Sequence, residues 1–302
     1  MKTHTKLAVA FLAAASSIAV QAADAPAPAV TFSGYAVATA DYTSVSGATD
    51  TSTADLDAAK FGVTGKFGTV TGYASVFYDG SYTNLLDAYF TVDAGDGLSV
   101  TVGKFLSYMG YEAFDIPNMA QISYANGALL GFPVPGYHTG AKIDYSTATS
   151  GAGLAVVDSV YGSDEDLKKP GLEAYYTYKG IKDVTLWFGV ADEVADSTVV
   201  YDFWASYALS KTDSIGVEYL IKESVGNNWL VAYMKSLGGK WSLTSRVSGE
   251  NVTGGADMLK YTLAPSYALN DNFIVRAELS YVDNSGSTPD ATTAAVQTIF
   301  KF

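Results

Sequence analysis

Along most of this chain, side chains alternate in character with a period of two, in runs of about ten residues. Between Val199 and Leu209, the residues Val199, Tyr201, Phe203, Ala205, Tyr207 and Leu209 share one face, against Asp202 and Ser206. Between Asp271 and Tyr281, Phe273, Val275, Ala277, Leu279 and Tyr281 oppose Arg276, Glu278 and Ser280. Asp183 to Val190, Ser214 to Ile221 and Lys240 to Val247 follow the same rule. Successive strand residues point to opposite faces, so such runs are β-strands with one apolar and one wet side. Helical periodicity is nearly missing. A soluble sandwich hides the apolar face inside, whereas a membrane barrel turns it to lipid and lines a lumen with the polar face. Length separates the two. At ~3.3 Å per residue and a ~40° tilt, about ten residues cover roughly the 25 Å apolar band of a membrane, whereas typical globular strands have about five to six.

Composition agrees. Tyrosines number 22, and Tyr42, Tyr78, Tyr82, Tyr178, Trp229, Tyr267 and Tyr281 fall near strand ends, as interfacial girdles require. Cysteine is absent, which excludes disulfide staples, thiol catalysis and Cys-based metal sites. The net charge of −13 excludes nucleic acid as a charge-held partner. Lys2 and Lys6, the apolar stretch Leu7 to Val20 and the small residues up to Ala22 read as a secretory signal peptide over 1–22. Residues 23–29 are an extended lead-in, and 30–302 are expected to form one barrel domain. After residue 22 no hydrophobic run reaches membrane-helix length.

About sixteen strands are expected (14–18), from 30–42 and 57–67 at the start to 271–282 and 293–302 at the end. Short Gly, Asp or Asn turns alternate with longer polar segments such as 43–56, 106–135 and 283–292, the rhythm of an antiparallel up-and-down barrel. Pro265, inside one of the strands, is expected to mark a bulge or a strand end. The final run Thr293 to Phe302 places Val296, Thr298, Phe300 and Phe302 on one face.

A secretory signal and a terminal aromatic on an amphipathic strand resemble the ends of bacterial outer-membrane β-barrels. Within 103–140, the succession Gly103-Lys-Phe105, Gly110-Tyr-Glu112, Pro117-Asn118 and His138-Thr-Gly140 resembles the OmpL-like group of β-barrel porins. The resemblance implies a porin of the Gram-negative outer membrane, a passive channel for ions and small hydrophilic solutes. It further implies lipid contacts, recognition of Phe302 by the barrel-assembly machinery, a homotrimer, and no cofactor.

The segment 106–135 is the third long connection, and general porins fold that loop inward. Its apolar residues, Leu106, Met109, Phe114, Ile116, Met119 and Leu130 among them, with Phe105 just before it, need a surface to pack on, and the inner wall offers one. An external lid is the alternative. Pro117 is placed to open a short helix through about Leu130. Glu112 and Asp115 on this loop are expected opposite Lys60, Lys142, Arg246 and Arg276 on the wall, a constriction with a transverse field. The acidic excess tilts the expectation toward cations.

Rival functions are a structural or adhesive barrel, a plugged substrate-specific channel, and a barrel hydrolase. Beyond the signal peptide only His138, beside Tyr137 and Thr139 at a strand start, remains for hydrolysis; a lone His is more often a loop hydrogen-bonder, and no Gly-x-Ser-x-Gly elbow occurs. Ser163 to Asp166 and Asp93 to Asp96 lack EF-hand spacing, the latter reading as a turn.

Overall fold

The computed structural model describes residues 29–125, 134–161, 169–194, 198–286 and 288–302. The expected signal peptide, most of the expected lead-in and Ser163 to Asp166 lie outside them. Among the described residues sixteen strands form. They are β1 (Ala29–Val45), β2 (Thr51–Phe67), β3 (Val70–Tyr78), β4 (Thr83–Gly95), β5 (Leu98–Leu106) and β6 (Tyr137–Ser146). Next come β7 (Ser150–Val157), β8 (Gly171–Tyr178), β9 (Val184–Glu193), β10 (Thr198–Ala208) and β11 (Asp213–Lys222). The circle continues with β12 (Gly226–Gly238), β13 (Trp241–Val252), β14 (Asp257–Ala268), β15 (Phe273–Asn284) and β16 (Ala291–Lys301).

Each strand pairs antiparallel with its sequence neighbours, and β1 pairs with β16 to close the barrel. Closure matters because an open edge would leave backbone N–H and C=O groups unpaired in lipid, at several kcal/mol each. The seam is fastened by Gly34 and Phe302, which exchange N–H···O bonds of 3.1 and 3.0 Å. Only glycine fits there: a Cβ on Gly34 would lie 2.3 Å from the Lys60 carbonyl and 2.8 Å from the Phe302 ring.

Alternation sorts the two faces. On β13, Thr244, Arg246, Ser248 and Glu250 are buried, whereas Val247 and Trp241 are exposed. On β10, Asp202 is buried and Tyr201 and Phe203 are exposed. Large apolar side chains such as Phe61, Phe90, Leu263, Leu279 and Val296 therefore cover the outside. In water such a surface would be a continuous hydrophobic liability; in a bilayer it is the required one.

Three local expectations are corrected. The polar stretch 43–56 is mostly strand: β1 runs to Val45, β2 starts at Thr51, and only 46–50 turn. Its β-branched threonines suit a ladder, and Thr43 bonds Thr293 of β16 at 2.9 Å. The helix expected over 117–130 does not form across its described part. One 3-10 turn spans Ile116–Asn118 and ends at Met119, which is extended. Pro265 marks neither a bulge nor a strand end. The β14–β15 register is the same on both sides of it, with Ala264 and Pro265 left out of the ladder, since proline has no N–H to donate. The turn expected over Asp93 to Asp96 forms only at its end: β4 runs to Gly95, whose N–H donates to the Asp93 carboxylate at 3.0 Å, and Asp96 and Gly97 turn.

Candidate functional site

After β5 the chain leaves the sheet, and residues 107–125 follow the polar faces of other strands. A stretch without repeating structure must still find partners for its backbone groups. Charged side chains on the wall supply them. In the first limb, Ser107 Oγ and Tyr108 N–H donate to Glu173 of β8 at 2.7 and 3.1 Å. Gly110 N–H donates to Asp202 of β10 at 2.8 Å, and Tyr111 N–H to Glu218 of β11 at 2.6 Å. Gly110 has φ +102°, a conformation that favours glycine.

Two tyrosines of this limb seat on glycines. A Cβ on Gly153 would meet Tyr108 Oη at 2.8 Å, and one on Gly216 would overlap the Tyr111 ring. Between them runs a row of rings: Tyr108–Tyr175 at 4.6 Å, Tyr175–Trp187 at 6.1 Å, Trp187–Trp204 at 5.7 Å and Trp204–Tyr111 at 5.6 Å. Aromatic wall residues thus fix the limb laterally while carboxylates fix its backbone.

From Glu112 the segment turns to other walls. Glu112 forms a buried ion pair with Arg246 of β13 and accepts the Ala125 N–H at 2.7 Å. Asp115 bonds Lys60 of β2 at 3.0 Å and takes the Tyr35 hydroxyl of β1 at 3.2 Å. Ile116 packs against Tyr35, Val37 and Ile299 at the seam. In the second limb, Arg276 of β15 donates to the carbonyls of Met119 and Gln121 at 2.6 and 2.9 Å. Glu278 accepts the N–H groups of Ile122 and Ser123 at 2.7 and 3.0 Å. Arg246 reaches the Ser123 and Tyr124 carbonyls at 2.9 and 3.2 Å, and Lys260 of β14 donates to the Tyr124 carbonyl at 2.8 Å. Burial, then the nearby Glu112 and Asp115, push the Tyr124 phenol up to about 12, so it remains a neutral hydroxyl.

The expected residues are therefore only partly assembled. Lys60 meets Asp115 and Arg246 meets Glu112, whereas Lys142 and Arg276 face neither carboxylate. Lys142 lies 4.8 and 4.7 Å from the ring centroids of Phe105 and Tyr108, and Arg276 is used by loop carbonyls. Lys60 also bonds Asp87 at 3.1 Å. Glu173, Asp202, Glu218 and Glu278, which the sequence marks only as polar-face residues, hold the segment. His138 stands at the start of β6, as expected, in register opposite Phe105, 2% exposed and edge-on to that ring. Neither ring nitrogen has a hydrogen-bond partner. Ser107 bonds Glu173 directly, so no histidine stands between a serine and an acid.

These contacts run over β8, β10, β11 and β13–β15 to β1 and β2. The β2–β6 sector keeps two adjoining hollows of about 460 Å³ each. They share Tyr73, Tyr89 and Thr91, one holding Lys60, Asp87, Asp115 and Lys142 and the other reaching the turn-end residues Thr69 and Asp93.

A closed antiparallel barrel of sixteen strands, apolar outside and polar within, defines an outer-membrane channel. The family model described as "Putative beta-barrel porin-2, OmpL-like" matches residues 30–191, and the chain belongs to that family. It is an outer-membrane porin. Curated proteins yield no match. Solved structures of the same fold include an anion-selective porin from Comamonas acidovorans, 12% identical over 91% of this chain and 100% of that one, with a TM-score of 0.69. Pseudomonas putida OprB, in its high-pH structure, is 11% identical over 90% and 94%, with a TM-score of 0.72. The trimer form of in-vitro folded OmpT from Vibrio cholerae is 14% identical over 92% and 100%, with a TM-score of 0.66.

Proposed function

We propose that the porin is a passive diffusion pore for ions and small hydrophilic solutes, narrowed by the segment 106–135. The supporting observation is the ring of contacts made by 107–125 on the inward faces of most strands. Solutes then pass through the β2–β6 sector, beside Asp115 and the Lys60–Asp87 pair. Lys60, Glu112, Asp115, Lys142, Arg246 and Arg276 set the field across the constriction, Lys60 and Arg246 with ion-paired charge, Lys142 and Arg276 as cations without a carboxylate from the segment. The chain works without enzymatic chemistry or a cofactor. Residues 1–22 direct export, Phe302 presents the barrel to its assembly machinery, and the mature barrel assembles as a trimer, as the OmpT structure does. The acidic excess favours cations.

Planar-bilayer recordings of the refolded protein in a potassium chloride gradient test this. Discrete ohmic steps with a cation-selective reversal potential are expected. Insertion without steps would mean that the segment plugs the barrel, and the diffusion reading would be abandoned.

A further inference from the structure

Another hollow lies between the first limb of the segment and Glu218 of β11 and Asn228 of β12. It measures about 330 Å³ and is walled by Tyr111, Glu112, Phe114, Tyr124, Glu218 and Asn228, together with the backbone of the first limb. At roughly 30 Å³ of liquid volume per water, that is room for a solute of several heavy atoms. No Lys, Arg or His lines it among the described residues.

Besides the hydroxyls of Ser107 and three tyrosines, its wall carries two buried side chains with accepting capacity to spare. Glu218 is 6% exposed and spends one oxygen on the Tyr111 N–H; among the described residues nothing bonds the other and no cation pairs with the carboxylate. Asn228 is 1% exposed, and its side-chain carbonyl oxygen is buried without a partner. A buried acceptor left unmatched costs about 1–3 kcal/mol, so the arrangement is completed by a donor from outside the chain. Glu112, in contrast, already has Arg246. Among the described residues no cation lines the hollow to hold an anion. A divalent metal is disfavoured too, because the described residues hold no group of three or more His, Cys, Asp or Glu that could ligate one. The rings of Tyr111, Phe114 and Tyr124 suit a diffuse positive charge on a short apolar stem, which aromatic faces attract.

We propose that this hollow is a binding site for small organic cations, alkylammonium or guanidinium compounds, with the charged head between Glu218 and Asn228 and the stem against the rings. It rests on the diffusion-pore reading and deepens it by naming a solute class.

The test is calorimetric titration of the folded barrel in detergent micelles with n-butylammonium chloride, against n-butanol and sodium butyrate. Saturable binding of butylammonium alone is expected. Glu218→Gln keeps an acceptor for the Tyr111 N–H while removing the charge, and is expected to weaken binding about tenfold. Asn228→Leu, which removes the orphan oxygen at similar size, is expected to weaken it as well. No saturable heat, equal binding of butanol, or full affinity in Glu218→Gln would each overturn the site. Bilayer recordings keep the two readings apart. Channel steps without butylammonium binding would overturn the site alone, and binding without channel steps would overturn the pore while the site stands.

Discussion

The two limbs of the inner segment are held to the wall by opposite means. Residues 107–111 present N–H groups to Glu173, Asp202 and Glu218, and no Lys or Arg lies within ion-pair distance of those carboxylates among the described residues. Residues 119–125 present mainly carbonyls to Arg246, Lys260 and Arg276, with Glu278 taking two N–H groups and Glu112 closing an ion pair. Buried charges that face only neutral partners bear their desolvation cost alone, whereas a paired network offsets it. The second limb is thus the stiff anchor. The first leans on aromatic packing and on acids whose charge contributes little to stability.

Substitutions sharpen or break that contrast. The largest effect is expected from Arg246→Ala, which strands Glu112 and frees two loop carbonyls. Removing one partner of a buried pair costs about 3–5 kcal/mol, visible as a lower denaturant midpoint of the folded barrel. Glu278→Gln retains one acceptor and loses the charge that holds two N–H groups and a hydroxyl. It should cost about 1.5–3 kcal/mol and speed amide exchange at Ile122 and Ser123. Ser107→Ala removes the hydroxyl that donates to Glu173 and accepts the Met109 N–H at 3.1 Å, for about 1 kcal/mol in the same unfolding assay. Asp202→Asn is expected to be the mildest, within about 0.5 kcal/mol or stabilising, because it removes an unpaired buried charge and keeps an acceptor for Gly110. If Asp202→Asn cost as much as Arg246→Ala, the two limbs would not differ in kind.

Much of the architecture is written in local alternation. Asp202 between Tyr201 and Phe203, or Arg246 between Ser245 and Val247, declares which face is which without any partner. The hairpin at 43–56 was less legible because Thr, Ser, Gly and Asp serve loops and ladders equally. What extends the strands there is pairing with residues 291–293 at the far end of the sequence. The segment after Pro117 has residues compatible with a helix, but its carbonyls and N–H groups are taken by Arg276 and Glu278, and a wall contact does not appear in propensity. The same holds for the ion pairs of the segment. That Glu112 and Asp115 would seek cations follows from their charge and their place on an apolar loop. That Arg246 and Lys60 answer, while Lys142 turns to the Phe105 and Tyr108 rings, depends on the path the segment takes around the barrel. Two of the anchoring acids, Glu173 and Asp202, carry one legible sign: each stands two residues before an inward aromatic, Tyr175 and Trp204.

The absence of native cysteine allows a direct probe of whether the segment borders the solute path. Asp115 keeps a side chain 35% exposed beside the β2–β6 hollow, and Lys60 retains Asp87 when Asp115 is replaced. Single-channel conductance of Asp115→Cys is recorded before and after a bulky cationic methanethiosulfonate reagent, with the cysteine-free protein as control. A stepwise fall in conductance confined to the variant is the expected result. Unchanged conductance after complete labelling would place the solute path elsewhere and contradict a pore narrowed by this segment.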